Sequence, residues 1–580
     1  MIFSRLAGYL ERLEKTASRN EITTILADVF KGALASEIDK ICYLVLGRIS
    51  PHYTGIEFNL AEKMMVRAIA QAYNLEPGKV QSEYKRVGDL GDVVLASAKR
   101  RAKSAKLTVI ETYEKLYKIA MEGGAGSQER KLLGISELLK SVDPLSAKYI
   151  ARIPVGKLRL GFSDVTMLDA LSVMEVGDKS ARKTIEAVYS VTADIGAVAK
   201  KVKEKGIKGL GKPNAIPGVP IRSSLAERLA NAEKIIEKVG PKVALEPKYD
   251  GFRVQMHIFR KGAKKEAVLF SRNHENVTHM FPDLVEAAKK LPITDAIFDS
   301  EAIGYDPKTD KFTPFQETVQ RKRKYDIAEM AKKLPLKAFV FDILYLNGKT
   351  LINEPFSKRR EILEKVLKGK SNTILVTEQV QTDDAVTLRE LAAKYMGENL
   401  EGLMAKKIDA PYHAGGRGFH WVKYKKHTEG GLADTIDCVL MGAFRGRGRR
   451  AGFGVGGFLL GVPGEDRKFY TISNLGTGLT DEQFRQMNKT VEKLKVGTQP
   501  EEYVVNKLSP PDLWVKPEVV LEILADEITL SPRHTAGRTD SGRGYSLRFP
   551  RLIKIRTDKD PDQATSVHEM KELYMMQKKG

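Results

Sequence analysis

Lys248 stands in the run Glu246-Pro247-Lys248-Tyr249-Asp250-Gly251, where a primary amine meets a turn signal. Asp-Gly favours a tight turn between strands, and a lysine at such a turn can project into a cleft. A lysine attacks phosphorus only as the neutral amine, the form that burial or neighbouring cations favour. Arg253, on the polar side of the strand that follows, is placed to meet an anion. A pattern this short arises by chance, and a plain polar hairpin would use the same residues. Asp299 and Glu301 are two apart in AIFDSEAIGYD, so a strand puts both carboxylates on one face. Lys423 and Lys425 in WVKYKK do the same for two cations. A solvated strand face and a basic edge strand explain those pairs equally well. The run from Arg445 to Arg450 reads as a phosphate contact or as a loop charge cluster, with nothing in its spacing to choose between them.

The elements that must hold these groups follow from periodicity. Up to about residue 205 apolar residues recur three and four apart, as in EITTILADVFKGAL and EFNLAEKMMVRAIAQAY, which predicts helices. Turn signals such as GRISPHYTG and EPGK separate them. A Gly/Pro-rich stretch from Gly206 to Pro220 reads as a linker. In SSLAERLANAEKIIEKVGP, Ser224 and Glu227 have the spacing of a capping box and Gly240-Pro241 that of a stop, which predicts one helix. From Lys242 the period changes. Phe252, Val254, Met256 and Ile258 alternate with Arg253, Gln255 and His257, a half-buried strand. AVLFSR, AIFDSEAIGYD, KAFVFDILYL, EGLMAKK and HWVKYKK predict further strands of an α+β region with a largely antiparallel sheet. A weaker boundary lies in KHTEGGLADT, and DCVLMGAF, GGFLLGV and KFYTIS then suggest a small β-barrel.

With 580 residues the chain has room for three or four domains. Lysine and arginine exceed aspartate and glutamate by 96 − 74 = 22, an excess that attracts polyanions without identifying one. Two cysteines, Cys42 and Cys438, exclude a disulfide framework and a four-cysteine zinc site, and fit a reducing compartment. No apolar run approaches the ~20 residues of a membrane span. The charged start MIFSRLAGYLERLEK is too broken for a signal peptide, so no membrane association and a cytoplasmic location are expected.

EPKYDG resembles motif I of the covalent nucleotidyltransferases: DNA ligases, RNA ligases and mRNA capping enzymes. The later motifs of that superfamily follow in order. Ser271-Arg272-Asn273 resembles the second motif, Phe298-Asp299-Ser300-Glu301 motif III, and Phe339-Val340-Phe341-Asp342 motif IIIa. Glu401-Gly402-Leu403-Met404 resembles motif IV, Trp421 to Lys425 motif V, and Arg548-Phe549-Pro550-Arg551 through Lys554 motif VI. A phenylalanine in FVFDILYL read alone is core; the shared order is what lifts these matches. The resemblance is closest to archaeal and eukaryotic-type ATP-dependent DNA ligases, and PDLWVKPEVVLEI and RFPRLIKIRTDKDPDQAT fit the same family.

That resemblance implies an all-α DNA-binding domain over residues 1–215, an α+β nucleotidyltransferase domain over 216–428 and an OB-fold barrel over 429–580. It implies that Lys248 takes AMP from ATP, passes it to the 5′-phosphate of a nick, and that the 3′-hydroxyl then seals the strand. Glu246 would recognise adenine, Phe341 stack on it, and Arg253, Arg272, Glu301 and Arg417 contact ribose or phosphate. Lys423 would hold the α-phosphate, with Lys425 on the same face and Asp250 beside the nucleophile. Glu301 and Glu401 would bind Mg²⁺, with Mn²⁺ as an alternative, and Arg548, Arg551 and Lys554 would serve from the C-terminal barrel. Pro247 departs from many relatives and stiffens the turn. The expected partner is nicked duplex DNA, in replication, repair and recombination, bound by a monomer in an archaeal cytosol. A sliding-clamp motif has no clean example: LTVIETYEKLY, near Thr108, is degenerate and reads better as an amphipathic helix. An RNA ligase or capping enzyme is the nearest rival, and a catalytically decayed DNA-binding scaffold the rival from another class.

Overall fold

The structure is a computed structural model, and it describes residues 1–580 except 99–104, 159, 230, 307–308, 310, 314, 323–325, 399, 426–434, 447, 539–541 and 580. The expected boundary in KHTEGGLADT lies almost wholly outside the described residues. The chain separates into two units, one of residues 1–77 and 94–428 and a second of 78–93 and 429–580.

Helices from Phe3–Lys15 to Ile195–Lys205, which belong to the first unit apart from the stretch 78–93, bury the predicted apolar stripes. Ser18 caps the helix Arg19–Gly32 through Glu21 N–H, as its position before an apolar-periodic run suggests. Thr108 and Glu111 form a reciprocal capping box for Val109–Met121. The stretch LTVIETYEKLY is therefore mostly helical, and its Val109, Thr112 and Leu116 are buried. EPGK is not a turn: Pro77 begins the helix Pro77–Val87, where a missing N–H costs nothing.

The strands of this unit are β1 (Leu225–Arg228), β2 (Val243–Lys248), β3 (Phe252–Lys261), β4 (Lys264–Ser271), β5 (Ala296–Asp306), β6 (Lys311–Phe312), β7 (Leu336–Leu346), β8 (Lys349–Thr350), β9 (Ile374–Val376), β10 (Val380–Thr382), β11 (Gly402–Lys407) and β12 (Arg417–Lys425). They form two sheets rather than one. The first has order β1-β12-β11-β2-β10; the second has order β4-β3-β5-β7-β8, with β6 on β5 and β9 on β7. Pairing is antiparallel except for β1 with β12 and β7 with β9. Val243, Leu245, Leu403 and Val422 pack under the helices Ala232–Val239 and Ala385–Gly397. Val254, Met256 and Ile258 pack with Leu284 and Leu363 of the helices Pro282–Lys290 and Phe356–Leu367. Burying each such aliphatic side chain contributes about 1.5–3 kcal/mol.

Three expectations change. The helix predicted from Ser224 begins only at Ala232, capped by Asn231 through Lys234 N–H. Residues 225–228 are a strand because the backbone of Ser224 is bound elsewhere. Its N–H donates to the Tyr412 hydroxyl (3.0 Å), and its carbonyl accepts from Arg253 Nη1 (2.7 Å). The first acceptor of a helix starting here is thereby turned towards Arg253 and not along a helical ladder. Second, the polar side of β3 is not solvated: Gln255 and His257 are buried. Third, what covers them is the expected linker. Gly218 N–H donates to His257 Nδ1 (3.0 Å), and Ile221 exchanges two hydrogen bonds with the Gln255 amide (2.7 and 3.0 Å). Ala215 and Ile221 then join Val191, Ile297, Leu344, Tyr412 and Trp421 in one core.

In the second unit the strands are β13 (Ile436–Arg445), β14 (Val455–Pro463), β15 (Phe469–Leu475), β16 (Lys495–Val496), β17 (Tyr503–Val504), β18 (Leu513–Val515), β19 (Val520–Leu524), β20 (Glu527–Ser531), β21 (Gly544–Arg548) and β22 (Arg551–Arg556). Eight join in one sheet, in which β13 bends between β18 and β19 on one side and runs along β14 on the other; β20 and β21 form a separate hairpin. Leu440, Phe458, Leu460 and Ile472 pack with Phe484, Met487 and Val491 of the helix Asp481–Leu494.

Candidate active site

Strand register assembles the site in the first unit. Lys248 ends β2 opposite Gly402, and Glu246 lies opposite Met404, which in turn faces Lys423 across β12. Glu401 N–H donates to the Lys248 carbonyl (2.9 Å), which pins the start of β11 beside the lysine. The Glu401 carboxylate touches the Lys248 ammonium, and both side chains are partly open to solvent. Asp250 and Gly251 make the turn into β3. A Cβ at Gly251 would fall on the Ala302 carbonyl oxygen, so only glycine lets this turn approach β5.

That approach brings in motif III. Arg253 pairs with Glu301 and Gln255 with Asp299 in the β3–β5 register. Asp299 is fully buried and accepts both Arg253 Nε (3.0 Å) and Nη2 (2.6 Å), with the Tyr412 hydroxyl at 2.7 Å. Glu301, on the same side of β5, has no such partner among the described residues. Burial raises its pKa from 4.5 to about 7, against the pull of Lys248 and Arg253. The two carboxylates that looked equivalent in sequence are thus a fixed counter-ion and a half-buried proton-labile group.

Phe341 is held edge-on to Trp421, with centroids 5.7 Å apart, and Arg253 lies 5.4 Å from its ring. Its neighbour Asp342 is fixed by Arg359 through a buried two-point pair (2.7 and 2.9 Å). Removing one partner of such a pair typically costs about 3–5 kcal/mol. Glu246 is buried beneath, with Lys406 Nζ at 2.5 Å, Gln379 Nε2 at 3.0 Å and Arg360 Nη1 at 3.5 Å. Burial pushes the Lys406 ammonium down, and Glu246 beside it opposes the shift. Alternating with Glu246 and Lys248, Pro247 and Tyr249 line a cavity of about 600 Å³ with Phe312, Phe339 and Leu400, and Arg360 and Gln379 also line it. The unusual proline therefore points away from the lysine.

Lys423 is half-buried on β12. The backbones of Arg417 and Lys425 pair with Leu225 and Gly402, and their side chains lie outside the described residues. Arg272 is exposed, one position past the Val254–Ser271 pair and so level with Arg253. Arg548, Arg551 and Lys554 belong to the second unit, where they pair with Glu527 (2.5 Å), Asp526 (2.6 Å) and Glu522 (3.4 Å). Of the Arg445–Arg450 run, Arg450 donates to the Gly456 carbonyl (3.0 Å), and residue 447 is outside the described residues. Sequence reasoning missed Lys406, Arg360, Gln379, Tyr412 and Arg359. Lys406 carried a signal, since it alternates with Met404 on β11; the others come from segments with no motif of their own.

Among the described residues no three carboxylates, histidines or cysteines cluster as a metal cage. Two carboxylates beside the lysine still suit Mg²⁺, which takes one or two protein oxygens and completes its shell with substrate phosphates and water. Glu301, desolvated and without an ion pair among the described residues, is the group that such an ion would relieve.

Comparison with known proteins places this geometry. The DNA ligase N terminus model matches residues 2–172, the ATP dependent DNA ligase domain 223–425, and the ATP dependent DNA ligase C terminal region 451–559. The chain is 46% identical over its full length to a probable DNA ligase of Dictyoglomus turgidum, covering 98% of it. It is 38% identical, again over its full length, to DNA ligase 2 of Thermofilum pendens, covering 98% of that protein. A solved structure described as Pmar-Lig_PreS3 shares the fold at a TM-score of 0.57 and 18% identity, over 95% of this chain and 99% of that one. The chain belongs to the ATP-dependent DNA ligase family. It is accordingly a nick-sealing enzyme with a helical N-terminal region, a central β-rich nucleotidyltransferase domain and a C-terminal β domain, and the family works through lysyl-AMP.

Proposed function

We propose that Lys248 is the adenylated residue. The observation that carries this is its placement at the end of β2, in contact with Glu401 and within the field of Glu301. The Lys248 side chain, partly open to solvent, gives up its ammonium proton to water, which leaves Glu401 ionised. The freed Nζ lone pair then forms a bond to the α-phosphorus of ATP as the bond to the pyrophosphate oxygen breaks. AMP next passes to the 5′-phosphate of a nick, and the 3′-hydroxyl displaces AMP to close the strand. Phe341 stacks on adenine and Glu246 reads its edge. Arg253, Arg272, Glu301 and Arg417 meet the sugar or phosphates, Lys423 and Lys425 the α-phosphate side, and Asp250 shapes the turn. Glu301 and Glu401 would hold Mg²⁺, or Mn²⁺, which when bound offsets charge on the phosphates. Arg548, Arg551 and Lys554 orient pyrophosphate.

We assign residues 1–215 to DNA binding, 216–428 to adenylation and 429–580 to an OB-fold domain, with the protein acting as a monomer in a prokaryotic cytoplasm during replication, repair and recombination. No described helix is long and apolar enough to cross a membrane. With α-labelled ATP and Mg²⁺, the protein should retain covalent label on a denaturing gel, and Lys248→Ala should retain none. Label on the variant would overturn the assignment.

A further inference from the structure

We propose that Lys406 is a specificity-determining residue: it holds Glu246 as a pure acceptor, so that the site selects the 6-amino group of adenine. This rests on the reading that Glu246 faces the base. Glu246 and Lys406 are 2% and 1% exposed, so water does not compete for their pairing. Lys406 Nζ binds Oε2 at 2.5 Å, while Oε1 accepts from Gln379 Nε2 at 3.0 Å and faces Arg360 Nη1 at 3.5 Å. Every one of these partners donates. An ionised carboxylate has about four lone-pair directions and no donor. With three engaged by protein, the direction left over can only accept. A 6-amino group satisfies it, whereas a 6-oxo group would set lone pair against lone pair, a mismatch that buried sites reject strongly.

Lys406 touches the stacking side as well. It donates to the Phe341 carbonyl (3.1 Å), and its ammonium lies 4.7 Å from the Phe341 centroid and 4.6 Å from that of Trp421. One buried cation therefore fixes both the acceptor that reads the base edge and the ring proposed to cover the base face. A lysine kept only for packing or charge balance would not need the second set of contacts. Lys406 acts through Glu246 and Phe341 and touches no substrate atom, so it is a positioning residue.

The test compares ATP with purine riboside triphosphate, which lacks the 6-amino group, in enzyme adenylation. The wild-type protein should favour ATP by about ten- to a hundred-fold in kcat/KM, the worth of a hydrogen bond to a charged acceptor. Lys406→Met should bring the ATP-to-analogue ratio in kcat/KM close to one, the analogue losing only what the positioning of Phe341 contributes to both nucleotides; residual adenylation by the analogue also shows that the variant is folded. Equal loss for both nucleotides, or loss for neither, overturns the proposal. Lys406→Arg keeps the cation and should keep the preference. Should the methionine variant not fold, a folded arginine variant that has lost the preference overturns it. A wild-type protein that treats the two nucleotides alike would instead refute the placement of Glu246, a separate failure.

Discussion

At the scale of single residues, the site is built from charges whose environments differ although their sequence contexts look alike. Asp299 is committed to Arg253 and Tyr412, and Glu301 is left protonatable near pH 7. Two opposite pH effects on stability follow in nucleotide-free, metal-free protein. Glu301 has its pKa raised from 4.5 to about 7, so the folded state holds this proton more tightly. Its contribution is full below pH 4.5 and is lost as pH rises towards about 7. His257 is buried and lowered from 6.5 to about 3, so its contribution is full above 6.5 and is lost as pH falls. Denaturant titrations across this range should show the Glu301 limb flattened by Glu301→Gln and the His257 limb flattened by His257→Gln; unchanged limbs would show that neither group is the source. The lysine, both carboxylates and the aromatic were legible because each sits in a run with recognisable spacing. Lys406, Arg360, Gln379 and Tyr412 were not, because what makes them matter is a neighbour distant in sequence.

At the scale of elements, periodicity located most strands and helices, while the atoms that end them were decided by tertiary bonds. SSLAERLANAEK has a good capping-box spacing at Ser224, yet Asn231 is the cap in the fold. Asn231→Ala should therefore lower stability by about 1 kcal/mol, read as a shift in denaturant midpoint with unchanged slope. A midpoint that does not move would show that this cap contributes nothing. The alternation in β3 was read correctly as a strand. A half-buried strand has its polar side free for solvent, and no local signal announces that residues 215–221 fold back over it. Gln255 and His257 satisfy that segment's N–H groups, which is why polar residues occupy a buried face.

At the scale of the whole molecule, the excess of 22 positive charges gains meaning from the family, whose substrate is a polyanion. An enzyme that seals any nick must hold DNA mainly through phosphates. Binding of nicked duplex should weaken steeply between about 50 and 200 mM salt, linearly on logarithmic axes. Gel-shift or fluorescence titrations at several salt concentrations check this, and a flat response would argue against phosphate-led binding. The motif VI cations are held by acidic partners within the second unit, so engaging any other anion means exchanging those exposed or half-exposed pairs, which are weak at a protein surface.

By itself the sequence determined the order of the motifs, the lysine proposed as nucleophile, the helical, mixed and β-rich regions, and the sign of the net charge. These depend on spacing along the chain, which one strand or one helix is enough to express. The tertiary structure alone decided which carboxylate is neutralised, what lies behind Glu246, where the helix after the linker starts, and that the linker is packed rather than free. Each of those depends on register between strands far apart in sequence, and a buried charge or N–H takes whichever partner that register supplies. Lys248 owes its place to both: the turn at Asp250-Gly251 is local, whereas the Glu401 carboxylate that touches its amine arrives just before β11, and Glu301 of β5 lies within its field.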